Sequence, residues 1–153
     1  MASWNEFESA SPELADLGRA LLTRSGSGEG VLATVRDGGL PRINPVAVGI
    51  VDGRLVTFVV ATSAKAADLR ADGRYALHAH LDLNAPDEFG VRGRARFVED
   101  QALRQSALET WAFDASSGFD LVELDIEHAL VGRRSNRDEW PPRYSSWRAA
   151  TAR

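Results

Sequence analysis

Two tight-turn signals set the frame of this chain. Asp37-Gly38-Gly39 and Asp52-Gly53 each stand between runs rich in β-branched residues. Asp-Gly pairs suit the left-handed backbone of short hairpin turns, so each is expected to join two antiparallel strands. Val31 to Val35, about Arg42 to Val51, and Arg54 to Val60 then read as a meander. A sheet that begins this way is antiparallel, not doubly wound and parallel.

The rest of the chain fits round that meander. Ser11-Pro12-Glu13 opens a helix over about 11–24, with Leu14, Leu17, Leu21 and Leu22 at helical spacing. The stretch from Ser25 to Gly30 ends it as a flexible connector. Tyr75 to Leu81 is a fourth strand. The fifth alternates most clearly: Phe89, Val91, Gly93, Ala95 and Phe97 share one face, and Arg92, Arg94 and Arg96 the other. A helix from about Gln101 to Phe113 follows. Phe119 to Ile126 and Ala129 to Val131 supply the last strand or two. The tail beyond Arg133 carries Trp140, Tyr144 and Trp147. Such aromatics need burial on their own barrel, on a second subunit or over a planar ligand. With 153 residues, a single domain spanning 1–153 is expected, its tail covering about 133–153.

Composition narrows the chemistry. The chain has no cysteine, which excludes disulfides, thiol catalysis and thiolate metal sites. A net charge of −4 argues against a general nucleic-acid binder. No apolar run is long enough to span a membrane, and Met1 to Glu8 lacks a signal-peptide pattern, so a cytoplasmic protein is expected.

One passage stands out: Val59-Val60-Ala61-Thr62-Ser63-Ala64-Lys65-Ala66-Ala67-Asp68-Leu69. A strand runs into a helix here, with Thr62 and Ser63 placed to cap it. A helix start carries free amides and partial positive charge, and so attracts anions. Lys65, the only lysine in the chain, adds a full charge to that first turn. Acidic residues are normally favoured there, so a lysine opposes the dipole unless an anion lies between. The bland reading, a capped surface helix with an incidental lysine, is equally weighted on this pattern alone. Elsewhere, His78, His80 and Asp82 lack a further obvious ligand, and no metal is expected. No serine sits in a nucleophile-elbow context. The residues offer no self-sufficient catalytic set, which leaves a cofactor-dependent enzyme or a protein that only binds.

The order of elements, with Leu40-Pro41-Arg42-Ile43-Asn44-Pro45-Val46, Thr57 to Lys65, Arg74 to His80 and Val91-Arg92-Gly93-Arg94-Ala95, resembles the pyridoxamine 5′-phosphate oxidase-like family. The resemblance covers about Gly30 to Arg133. It implies a mainly β fold with peripheral helices: a six-stranded antiparallel split β-barrel of the flavin-binding type. It also implies a homodimer with FMN, or the deazaflavin F420, at the subunit interface, and hydride transfer to or from a small-molecule substrate. Ser63 and Lys65 match the family's phosphate-gripping pair, and Arg42 a cofactor-reaching arginine. Asn44, Pro45 and Val46 match the segment along the ring; Val59, Val60, Ala61 and Thr62 match the edge beside the ribityl chain. Trp140, Trp147 and Arg137 are candidates for contacts from a second subunit. Two departures, Ala64 in place of a second basic residue and a tail without the oxidase's arginine-rich closing signature, argue against vitamin B6 oxidation. The alternative is a non-enzymatic flavin-binding or sensing protein. A haem-binding relative, using His78, His80 or His128, ranks third.

Overall fold

Asp52 and Gly53 adopt φ of 48° and 73°, the paired left-handed conformation of a two-residue hairpin turn. Val51 and Arg54 face each other directly across it. Asp37–Gly39 forms a short 3-10 turn that likewise returns one strand antiparallel on the next. The computed structural model describes residues 1–150. Its elements are α1 (Trp4–Ala10), α2 (Pro12–Leu22), β1 (Glu29–Val35), β2 (Pro41–Ala47), β3 (Gly49–Val51), β4 (Arg54–Val60), α3 (Ala64–Ala71), β5 (Arg74–Ala79), β6 (Glu88–Phe97), α4 (Gln101–Thr110), β7 (Phe119–Arg133) and β8 (Arg143–Arg148). All strand pairings are antiparallel, in the order β2-β1-β5-β6-β7-β4-β3, with β8 added to β7. The sheet curls into a split half-barrel with helices at its margins. Thr57 on β4 reaches across to β2, its Oγ1 donating to the Ala47 carbonyl at 2.7 Å.

The sheet has eight strands rather than six. The expected second strand divides at Val48, whose amide turns to the Gly28 carbonyl at 2.9 Å. The tail supplies β8. The two expected late strands are one, β7, with a bulge where the register jumps from Arg92↔His128 to Gly93↔Ile126. The extra residue shifts the inside–outside alternation, which is why the sequence looked interrupted. A side chain at Gly93 would put its Cβ 1.9 Å from the Asp125 carbonyl oxygen, so glycine is required there.

The core follows the alternation seen in the sequence. Leu32, Leu77, Phe89, Val91, Leu124 and Ile126 point inward and are buried. α1, which the sequence reading missed, plugs the barrel with fully buried Trp4 and Phe7. Ser3 and Glu6 form a capping box at its start. α4 covers a second, smaller cluster through Leu103 and Ala107. Trp147 on β8 packs on Phe7, ring centroids 5.0 Å apart, so this tail aromatic is accommodated on its own barrel.

Candidate functional site

β4 delivers the chain into α3 through a turn that is held on every side. The Ala61 amide donates to the Gly118 carbonyl, and the Ser63 amide to the Val60 carbonyl, both at 2.9 Å. Arg70 donates to the Ala61 carbonyl at 3.1 Å and pairs with Asp120. Ser63 is the N-cap: its Oγ accepts from the Ala66 amide at 3.1 Å. Its own hydroxyl proton has no acceptor among the described residues. The helix geometry leaves the amides of Ala64 and Lys65 without intrahelical partners.

Lys65 lies in that first turn, half-buried, with no acidic residue in the turn. Burial alone holds its ammonium below the usual lysine range; no charged partner acts on it. Asp68, three residues on, would be its natural helix neighbour. That carboxylate is instead turned away. Its Oδ2 accepts from Arg42 Nε at 2.8 Å and from Thr34 Oγ1 at 2.9 Å. Thr34 and Arg42 are direct partners across β1 and β2, so one oxygen ties α3 to both strands. Burial pushes the Asp68 carboxyl up, but the bonds from Arg42 and Thr34 outweigh it and hold it below the usual carboxylate range.

Arg42 uses only its Nε in this contact; both Nη groups lack acceptors among the described residues. Asn44 lies two residues along the same face of β2, and its Nδ2 is buried without a hydrogen-bond partner. A buried amide donor left open is costly unless a ligand oxygen fills it. The Ser63 hydroxyl, the α3 amides, Lys65, the Arg42 Nη groups and Asn44 Nδ2 are thus uncommitted donors. Each is a donor that an oxygen acceptor would satisfy, and the Arg42–Asp68 contact links the β2 donors to α3.

The other sequence-selected residues separate by burial. Val46 and Val59 are core residues, 8% and 1% exposed, and their side chains face the barrel interior. Pro45 is on the opposite, outer face of β2. Val60 is 45% exposed, and Thr62 is also exposed. Trp147 is engaged with Phe7, while Trp140 is 73% exposed with the Arg134 guanidinium 4.9 Å from its ring centroid. Asp68 and Thr34 were not singled out from the sequence. The available signal was an acid beside Ala66 and Leu69 on the buried side of α3.

The outer face of the sheet is the other notable surface. Two rows cross it: Pro45, Val31, His78, Gly90, Leu130 and Ser146, then Ile43, Ala33, Ala76, Arg92, His128 and Arg148. Between them runs a mostly apolar groove of about 320 Å³. Ile43 is 70% exposed there. Burial, and then the guanidinia of Arg92 and Arg148, hold the His128 imidazole below its usual range. The expected arginine row is mostly partnered within the sheet: Arg96 pairs with Glu123 and Asp125, and Arg94 approaches Glu127 at 3.9 Å. Among the described residues, no three metal-ligating side chains converge, and no helix is long and apolar enough to cross a membrane.

Comparison with known proteins shows what the chain is similar to. A haem-binding protein from Mycobacterium smegmatis superposes with a TM-score of 0.65 at 22% identity, over 86% of this chain and 57% of that one. This chain therefore spans little more than half of that relative's length. General Stress Protein 26 from Bacillus anthracis superposes at 0.60 and 20% identity, over 86% and 98% of the two chains. A NimC/NimA family protein from Clostridium acetobutylicum gives 0.62 and 16%, over 84% and 91%. At these identities the likeness establishes the fold alone. No curated protein matches the chain significantly. The sequence model of pyridoxamine 5′-phosphate oxidase, however, matches residues 19–131, well over half of the chain. The chain belongs to the pyridoxamine 5′-phosphate oxidase family.

Proposed function

We propose that this protein is a flavin- or deazaflavin-dependent oxidoreductase that moves a hydride to or from a small organic substrate. FMN is the first cofactor to test and F420 the alternative. The observation that carries the reading is Lys65: a half-buried ammonium at a helix start, without a counter-charge. A phosphate supplies the missing charge and satisfies the open donors around it. In this reading Ser63 Oγ, the Ala64 and Lys65 amides and Lys65 Nζ hold the phosphate. Arg42 and Asn44 reach the cofactor from β2. Val60, Ala61 and Thr62 border its chain; Pro45, Val46 and Val59 contribute through backbone and packing. The ring, when bound, supplies the hydride chemistry. The chain's own residues bind it, orient it and exclude water.

The protein is further proposed to work as a homodimer. The uncovered sheet face round Val31, Ala33, Ile43 and Leu130 is the surface a second copy would bury. Trp140 and Arg137, both exposed in one copy, are then the tail residues available to a partner's cofactor. An absorbance spectrum and mass analysis of whatever co-purifies test the reading. A flavin or deazaflavin spectrum supports it; a colourless protein that takes up neither FMN nor F420 overturns it. A protein that binds flavin but turns over no hydride donor or acceptor is instead a carrier or sensor.

A second reading rests on His78. Its Nδ1 lies 2.6 Å from the Ala79 carbonyl and so carries the proton, leaving the Nε2 lone pair for a metal. The ring lies against Gly90 in the apolar groove, the face a flat porphyrin would cover. The similar Mycobacterium smegmatis protein is described as haem-binding. A Soret band on adding haem, lost in His78→Ala, separates this reading from the first.

A further inference from the structure

We infer that Asp68 is a positioning residue: it clamps the Arg42 guanidinium at Nε so that its Nη groups are presented as a fixed fork to a phosphate held at the start of α3. The inference rests on the phosphate reading of that helix start. Four observations carry it. Asp68 is only 8% exposed, an unusual place for an acid on a short, alanine-rich helix. Its Oδ2 is shared by Arg42 Nε and Thr34 Oγ1, donors that face each other across β1 and β2. Arg42 has no other acceptor among the described residues, and its side chain is 31% exposed, so its far end is open to a ligand. Asn44, next on the same strand face, leaves its own buried donor open.

The physical logic is that a free arginine has several rotatable bonds, and ordering it on binding costs affinity. A carboxylate bonded to Nε fixes the guanidinium plane beforehand. The Arg42–Asp68 pair is close to neutral, so Lys65 remains the uncompensated charge while Arg42 contributes direction. Thr34 in turn fixes the carboxylate. Asp68 sits on the helix whose N-terminus would hold the phosphate. One carboxylate thereby locks the spacing between the strand-borne and helix-borne donors.

The test compares FMN with riboflavin, which shares the ring but lacks the phosphate. In the intact protein FMN should bind more tightly than riboflavin. Asp68→Asn should cut FMN affinity about 10- to 150-fold, the loss expected for one charge-assisted contact, and leave riboflavin affinity unchanged. Arg42→Met should do the same, and the double variant should be little worse than either single variant. Independent, additive losses, or an Asp68→Asn protein that still prefers FMN as strongly, would overturn the clamp while leaving the cofactor reading intact. A loss equal for FMN and riboflavin would also overturn it, as mere structural damage. Should Asp68→Asn not fold, Thr34→Val removes half of the hold on the carboxylate and should lower FMN affinity alone; no change refutes the proposal. If the wild type binds neither flavin nor F420, the cofactor reading fails, and inorganic phosphate decides the clamp. Phosphate bound by the wild type and lost in Asp68→Asn supports it; no phosphate binding by the wild type ends it.

Discussion

Replacing Lys65 with methionine should move ligand-free stability and cofactor affinity in opposite directions. Methionine keeps the length and helix propensity of lysine and removes only the charge. In the ligand-free protein that charge opposes the α3 dipole and is partly desolvated, with no acid to offset it. Removing it should stabilise the fold by about 0.3–1 kcal/mol, the usual size of a charge–dipole contact at a helix end. For a chain of this size that is a rise in Tm of about 1–4 °C. The same change should weaken FMN binding by about 1.5–3 kcal/mol, one charge-assisted contact. The pH dependence supplies a check on sign. The folded-state pKa of Lys65 lies below the ordinary 10.5. Between those two values the unfolded chain holds the proton more tightly, so wild-type stability gains with rising pH relative to Lys65→Met. The advantage of the variant should therefore be greatest near neutrality and shrink as pH approaches 10.5. Thermal melts with and without FMN at several pH values read both effects. A variant that is less stable without ligand and binds FMN as well as the wild type would refute the reasoning.

Arg42→Ala leaves the buried Asp68 with Thr34 as its only partner, and should cost about 1–3 kcal/mol in urea unfolding. Asp68 has a lowered folded-state pKa, so its contribution is present above the unfolded value of 3.8 and lost as pH falls through the folded value; in Arg42→Ala acid unfolding should begin at higher pH. Ser3→Ala removes the α1 capping box and should cost about 1 kcal/mol, read as a lower Tm, with cofactor affinity unchanged. Gly93→Ala drives a methyl into the Asp125 carbonyl and should destabilise by about 2 kcal/mol or more; a melt matching the wild type would show that the bulge can relax. The proposed homodimer predicts that Leu130→Glu, at the edge of the outer groove, sediments as a monomer where the wild type sediments as a dimer, without lowering the monomer's Tm; a wild type that sediments as a monomer overturns the dimer.

The strands were legible because turn chemistry and alternation are local. Asp52-Gly53 specifies its turn by backbone conformation alone, and β6 buries Phe89, Val91, Gly93 and Ala95, residues its alternation selects, with Phe97 partly buried. α1 was not legible: its seven residues are too few for periodicity, and the Ser3/Glu6 cap was its only signal. The bulge opposite Arg92 and Gly93 split β7 in the sequence because one extra residue resets the alternation. Round the candidate site, the Ser63 cap and the Lys65 charge were legible because capping and charge are properties of neighbouring residues. Val46 and Val59 turned out to face the core, a matter of strand phase. Asp68 could not be found, because its role depends on Thr34 and Arg42 being brought face to face by the β1–β2 hairpin. Trp147 likewise acquired a partner, Phe7, only through an unforeseen helix.

The most direct measurement is an equilibrium titration of the purified protein with FMN and with F420, followed by quenching of cofactor fluorescence. Saturable uptake of one of the two at about micromolar concentration, approaching one molecule per subunit, is the expected result. Linear, unsaturated signals with both at concentrations a hundredfold higher would contradict a phosphate-anchored cofactor at the start of α3.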